Sequence, residues 1–256
     1  MGSPPDWHLW LDKTPRPGWA NMGIDLSLLE RAVQLNESWL RLYRWSPPCL
    51  SFGRHEPATR RYDKRRIAEL RLDTVRRPTG GRAVWHAHEL TYAVVSPVSR
   101  LGSLSAAYLE IHEMLTEALS ELGAAAYLAP SRRIPPLDAG ACFSSPVGGE
   151  IMIGSRKVVG SAQLRQGGAL LQHGSILLRD DQDVVVGLMT GEHPVPRGTP
   201  TIGTWAQGPD IAEAIAAAAA CRWPAAWNRV NDDSAVLAGA SVHYPRYRSA
   251  AWTWSR

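Results

Sequence analysis

The sequence predicts an α+β fold, a mixed and largely antiparallel sheet flanked by helices. Two stretches place apolar residues at helical spacing, and short apolar runs that read as strands are interspersed with them without the strand-helix-strand rhythm of a doubly wound fold. Three of those runs follow one another across tight glycine turns, the mark of an antiparallel meander. With 256 residues, 45% hydrophobic and 20% charged, the chain can bury the core of one main domain.

Met22, Leu26, Leu29 and Val33 share one face of a helix predicted over Asn21 to Asn36. Strands are expected at Trp39 to Trp45 and Leu50 to Gly53, separated by the Ser46-Pro47-Pro48 turn. A helix over Asp63 to Leu70 precedes strands near Thr74 to Arg77 and Leu90 to Val95, with a glycine loop and an extended piece at Val84 between them. Leu104, Tyr108, Ile111, Leu115 and Leu122 mark a second amphipathic helix, which Gly123 ends. Ser131 to Pro146 has no periodicity and reads as a long loop, a place where function often resides. The meander comprises Glu150 to Ile153, Lys157 to Leu164 and Ala169 to Leu178, and an alanine-rich helix follows over Ile211 to Cys221. The tail from Trp223 to Arg256 has no assigned place, although packing of its tryptophans on the core is favoured over closure of a site.

The net charge of +4 is carried almost wholly by arginine, the only lysines being Lys13, Lys64 and Lys157. Arg60, Arg61, Lys64, Arg65 and Arg66 make one segment basic, which suits either an anionic partner or a solvated face. No motif supports nucleic acid as that partner. No apolar run reaches the ~20 residues that span a bilayer, and residues 1–19 lack a signal pattern, so the expectation is a cytoplasmic chain without membrane partners. Cys49, Cys142 and Cys221 are odd in number and far apart, which argues against a disulfide framework.

Three stretches could carry chemistry. In Arg76-Arg77-Pro78-Thr79-Gly80-Gly81-Arg82, adjacent glycines let backbone N–H groups approach a ligand, and the arginines would favour an anionic or polar group; a simple turn is the alternative. In Gly154-Ser155-Arg156-Lys157-Val158-Val159-Gly160-Ser161-Ala162-Gln163, Lys157 opens a hydrophobic strand, either as a desolvated amine or as an edge-strand charge. His173 adds a polar group to the apolar run after it, as a site residue or a structural histidine. Cys142 lies in the long loop downstream of Arg132 and Arg133, where nearby cations would favour the thiolate. Cys49 and Cys221 are expected to be inert packing residues. One His86-Ala87-His88 pair is thin support for a metal, and none is expected.

Taken in order, RRPTGGRAVWHAHELTYAVV, CFSSP, GSRKVVGSAQ and LLQHGSILL resemble the superfamily of lipoate-protein ligases, octanoyltransferases and biotin-protein ligases, over roughly residues 20 to 180. His88-Glu89-Leu90-Thr91-Tyr92 and a cysteine at the position of Cys142 point to the LipM-type octanoyltransferases. The resemblance implies a fold like the biotin and lipoate ligase catalytic domain (class II aminoacyl-tRNA synthetase-like) over 20–222, with a lead-in at 1–19 and a tail at 223–256. It implies Cys142 as acyl-carrying nucleophile and Lys157 as site lysine. Substrate-binding residues would be Arg77, Thr79, Gly80, Gly81, His86, Gly160, Ser161, Gln163 and His173. The implied reaction moves an octanoyl group from octanoyl-acyl carrier protein to a lysine of a lipoyl-domain protein, such as glycine cleavage H protein or dehydrogenase E2 subunits, with no cofactor. Alternatives within the resemblance are an ATP- and Mg-dependent lipoate ligase, octanoyl transfer between lipoyl proteins, and a non-catalytic binder of acyl groups or lipoyl domains. The sequence departs from the family pattern at Ala87, where aspartate is usual, and at Gly149, where an aromatic residue is usual before Glu150.

Overall fold

A six-stranded sheet forms the centre of the computed structural model, which describes residues 7–130, 149–179, 181–191 and 211–256. In chain order the first elements are β1 (Trp7–Leu11), α1 (Gly18–Leu35), β2 (Trp39–Tyr43), β3 (Cys49–Phe52), α2 (Ala58–Arg61), α3 (Lys64–Glu69), β4 (Asp73–Arg76), β5 (Val84–His86) and β6 (Glu89–Pro97). They are followed by α4 (Val98–Leu101), α5 (Leu104–Glu121), β7 (Ala126–Leu128), β8 (Ile151–Ile153), β9 (Arg156–Lys157), β10 (Val159–Gln166), β11 (Ala169–Leu177) and α6 (Asp183–Gly187). The last are α7 (Ile211–Arg222), β12 (Trp227–Arg229), α8 (Ser234–Ser241), α9 (Tyr244–Arg248) and α10 (Ala250–Thr253). The predicted loop over 131–146 lies outside the described residues.

The main sheet runs β10-β11-β6-β2-β1-β12. Its first three pairings are antiparallel and its last two parallel, so the predicted mixed, largely antiparallel sheet is what forms. Helices cover both faces, and β6 and β11 are therefore buried along their whole length. On β6, Leu90, Tyr92 and Val94 point into a core with Ile111, Met114 and Leu115 of α5 and Ile215 of α7. Ala93 and Val95 point the other way, against Ile24, Leu28 and Leu29 of α1. A second sheet, β4-β3-β5, and a third, β7-β8-β9, flank this centre.

Several expectations change. The meander divides: β8 and β9 pair in the third sheet, and only the β10–β11 hairpin joins the main one. The residues read as lead-in and tail supply β1 and β12, two of the six central strands, because their pairings join chain ends and leave no local signal. Trp7 stacks on Trp223 at 4.5 Å and on Trp227 at 5.1 Å, which ties the two ends together. The other tail tryptophans pack as expected: Trp252 Nε1 donates to the Arg76 carbonyl (2.9 Å), and the Trp254 ring lies 5.1 Å from Phe52. Val33 is 42% exposed, because it lies over the β10–β11 turn at Gly167, at the end of the hairpin. Cys221 is exposed rather than packed, whereas Cys49 is buried and its thiol pKa pushed well up by desolvation.

The interior face of α1 also carries Asn21 and Asp25, both fully buried. Arg41 of β2 answers them, donating to Asp25 Oδ1 (3.0 Å), Asp12 Oδ2 (2.7 Å) and Asn21 Oδ1 (2.8 Å) while its guanidinium lies over the Tyr43 ring at 3.9 Å. Removing one member of a buried ion network leaves the others charged and desolvated. Arg41→Ala is expected to lower the unfolding free energy by about 3–5 kcal/mol, read from the urea midpoint; a loss under about 1 kcal/mol would mean that water replaces the guanidinium.

Candidate active site

The end of β2, the three β4-β3-β5 strands and the β10–β11 hairpin converge on a narrow cleft. Its apolar side is formed by Met22, Trp45 and Val84, and its polar side by Ser51, Arg77, His86, Ser161, His173 and Ser175.

Two histidines organise the polar side. His86 Nδ1 donates to Glu89 Oε1 (2.7 Å), its Nε2 lies 2.7 Å from Ser51 Oγ, and Trp45 stacks on the ring at 3.9 Å. Arg77 Nη1 donates to the same Ser51 hydroxyl (2.9 Å). His173 Nδ1 donates to Asp25 Oδ2 (2.8 Å), and its Nε2 faces Thr79 Oγ1 (2.6 Å). Burial lowers the His173 pKa, against the opposing pull of Asp25.

The glycine loop is held firmly. Arg77 Nη2 donates to the carbonyls of Gly80 (2.9 Å) and Arg82 (2.6 Å), and the Arg54 N–H donates to the Thr79 carbonyl (2.7 Å). Gly53 lies directly beneath it: a Cβ there would sit 1.8 Å from the Gly81 oxygen, so only glycine permits this approach. Two of the loop's arginines, expected to favour an anionic or polar ligand, are hydrogen-bonded within the chain. Arg76 donates to the carbonyls of Gly53, Glu56 and Thr253 (2.7, 2.9 and 3.0 Å), and Arg77 to Ser51 and the loop, so both guanidinium groups serve the chain's own oxygens. Both are buried because each shapes a turn.

Lys157 is buried and paired with the buried carboxylate of Glu150. Gln163 lies further along β10, its amide engaged by the Leu104 carbonyl (2.8 Å) and Gln172 (2.9 Å), outside the cleft lining. Gly160 and Ser161 are among the residues that line the cleft. Cys142 lies outside the described residues. His86 and His88 diverge: His88 is exposed and meets Asp181 (2.8 Å). Among the described residues no three His, Cys, Asp or Glu side chains converge as metal ligands. Gly149 adopts φ 80°, and a Cβ there would meet Tyr108 at 3.4 Å, so Tyr108 of α5 fills the space beside it.

Sequence reasoning did not single out Asp25, Ser51, Glu89 or His112. Asp25 and His112 each sit on the buried stripe of an amphipathic helix, and a polar residue on such a stripe is the signal that could have found them. His112 is fully buried, with Nδ1 donating to the Gly149 carbonyl (2.6 Å) and Nε2 facing Ser161 Oγ (2.7 Å). Burial brings its pKa down to about 4, the Gly149 hydrogen bond opposing and the Lys157 charge assisting. The unfolded chain protonates this group near 6.5 and the folded one only near 4, so the unfolded state binds more protons between those values. Stability should therefore fall as the pH drops through that window, by about 3 kcal/mol from this group. His112→Gln should flatten the urea-midpoint profile there, while an equally steep profile would assign the acid loss to other groups.

The sequence matches the lipoyl protein ligase A/B catalytic domain across residues 17–218. Similar proteins named octanoyltransferase LipM include that of Carboxydothermus hydrogenoformans, 38% identical over 178 residues, 68% of this chain and 66% of that one. The Moorella thermoacetica protein of the same name is 41% identical over 178 residues, covering 67% and 65%. That of Symbiobacterium thermophilum is 36% identical over 235 residues, covering 89% and 83%. The first two alignments span just under two thirds of those relatives' length. Lipoate-protein ligase A bound with ATP has the same fold, with a TM-score of 0.79 at 19% identity, covering 97% of this chain and 98% of that one. So has a putative lipoate protein ligase of T. acidophilum with bound lipoic acid (0.76, 20%, 97% and 99%). The fold matches across nearly the whole chain, and the sequence family across most of it: the chain belongs to the lipoyl protein ligase A/B catalytic domain family.

Proposed function

We propose that the chain is an octanoyltransferase of lipoate biosynthesis, which takes its acyl group from octanoyl-acyl carrier protein and passes it to a lysine of a lipoyl-domain protein. The observation that carries this reading is the 36% identity held over 89% of the chain with a protein named octanoyltransferase. The cleft supports it, since its apolar wall suits an alkyl chain and its polar end a carbonyl.

The reaction is a double displacement. The Cys142 thiolate attacks the donor thioester, the carrier thiolate leaves, and an acyl-enzyme of nearly equal energy forms without ATP. The lipoyl lysine then attacks that thioester, and exchanging a thioester for an amide drives the step forward. In this reading the Lys157 ammonium, held by Glu150, polarises the thioester carbonyl rather than accepting a proton. Backbone N–H groups of the Gly80-Gly81 loop bind the acyl oxygen from a position that Gly53 keeps open. Arg60, Lys64, Arg65 and Arg66 of α2 and α3 are exposed and suit the acidic surface of an acyl carrier protein. Acceptors are lipoyl-domain proteins such as glycine cleavage H protein or dehydrogenase E2 subunits.

Incubating the purified chain with octanoyl-acyl carrier protein, without ATP, should give a hydroxylamine-labile octanoyl adduct by intact mass that is absent in Cys142→Ala. An unmodified wild-type chain that transfers lipoate only when ATP is added would make the protein a ligase and leave Cys142 without a role.

A further inference from the structure

A second hollow, of about 1040 Å³, lies across the glycine loop from the cleft. Gly80 and Gly81 form one side of it, and Arg60 and Arg61 of α2, with His55 and Arg256, form the other. The loop borders both spaces: Gly81 lines the hollow, while a Cβ on it would come 4.0 Å from that of Ala162, which lines the cleft. A Cβ on Gly80 would meet nothing within 4 Å among the described residues, so the backbone there stands open to a ligand. The hollow is basic. Arg60 and Arg256 are exposed, and the one acid among the described lining residues, Glu56, is buried and already takes the Tyr62 hydroxyl (2.9 Å) and Arg61 Nη1 (3.4 Å). Behind the wall Arg76 donates to the Glu56 carbonyl (2.9 Å), yet its buried Nη2 has no hydrogen-bond partner among the described residues. Desolvation lowers the Arg76 pKa, with Glu56 pulling the other way and the Arg256 and Arg77 charges adding to the fall. Positive charge is therefore in excess in a concave site, which concentrates anions.

We propose that this hollow receives the phosphopantetheine arm of the donor acyl carrier protein, with its phosphodiester between Arg60 and Arg256 and its amides along the Gly80-Gly81 backbone. The inference rests on the octanoyltransferase reading above and adds the path by which the donor enters. The order of groups carries it. From its surface outwards, an acyl carrier protein presents acidic side chains, a phosphodiester, amides and the thioester. In the same order this chain presents the exposed basic face of α2 and α3, the arginine-lined hollow, the open glycine backbone and the cleft. Arg60 belongs to both the basic face and the hollow, at the point where the arm must leave the carrier. A guanidinium meets a phosphate with paired N–H groups, which suits arginine to this place. A nucleotide shares the phosphate chemistry, and the experiment separates the two sources.

The test uses the full chain and octanoyl-acyl carrier protein, following adduct formation by intact mass while free phosphopantetheine, pantetheine or ATP competes. Phosphopantetheine should inhibit at about a tenth of the pantetheine concentration or less, because its phosphate adds charge-assisted hydrogen bonds. ATP should inhibit more weakly than phosphopantetheine. Replacing both exposed arginines, Arg60→Gln with Arg256→Gln, should bring the phosphopantetheine and pantetheine concentrations together, and Arg60→Lys with Arg256→Lys should restore most of the gap. Comparing two competitors within one variant cancels any change in carrier docking. Equal inhibition by the two compounds in the wild type, no inhibition by either, or a gap that survives the double glutamine variant would overturn the proposal. ATP as the strongest competitor would assign the hollow to a nucleotide instead. A wild-type chain that forms no adduct from the carrier sinks the octanoyltransferase reading and this path with it.

Discussion

The carboxylate of Asp25 carries a negative charge in the middle of the protein, on the buried face of α1, and the rest of the site is built on satisfying it. A buried carboxylate is tolerated only with charged or hydrogen-bonding partners around it. Asp25 draws Arg41 and Tyr43 from β2 and His173 from β11. His173 in turn holds Thr79, the residue that opens the Gly80-Gly81 pair. One charge thus fixes a helix, two strands and the glycine loop relative to one another. Asp12 and Arg16 extend the same network to the strand at the chain's beginning and, through Asp233, to the start of α8.

The cleft opens where this rigid network meets places without side chains. Gly53 lets the glycine loop descend, and Gly174 leaves room for the Ser161 hydroxyl. The two histidines that face the cleft are each supported from behind: His86 by Glu89 and His173 by Asp25. Support of that kind gives a reacting group one orientation before substrate arrives. Buried histidines are costly to fold around, and the presence of His86 and His173 at one cleft is itself a reason to place the chemistry there.

A fold shared at a TM-score of 0.79 with a lipoate-protein ligase does not decide between ligation and transfer, because one scaffold can serve either chemistry. The distinction lies in single groups: whether a thiol carries the acyl chain, and what the arginines of the glycine loop bind. Here Arg76 and Arg77 hold backbone carbonyls and so fix the shape of the loop.

The elements that the sequence determined by itself are those whose cause is local. The stripes of α1 and α5, the strands β2, β3, β6 and β11 and the turns between them follow from periodicity and glycine placement over a few residues. Arg77, His86, Gly160, Ser161 and His173, which line the cleft, stand out in the sequence for the same reason, as polar or glycine positions beside or inside short apolar runs. Tertiary structure alone decided the rest. That β1 and β12 complete the central sheet depends on pairing across more than two hundred residues, which no local pattern encodes. That Asp25 belongs to the site, and that His112 meets Gly149 and Ser161, depends on what lies opposite two buried helix faces. That Arg77 binds carbonyls, and that Lys157 meets Glu150, depends on partners brought close only when the sheets assemble, since a charged side chain's role is set by its neighbours in space and not by its neighbours in the chain.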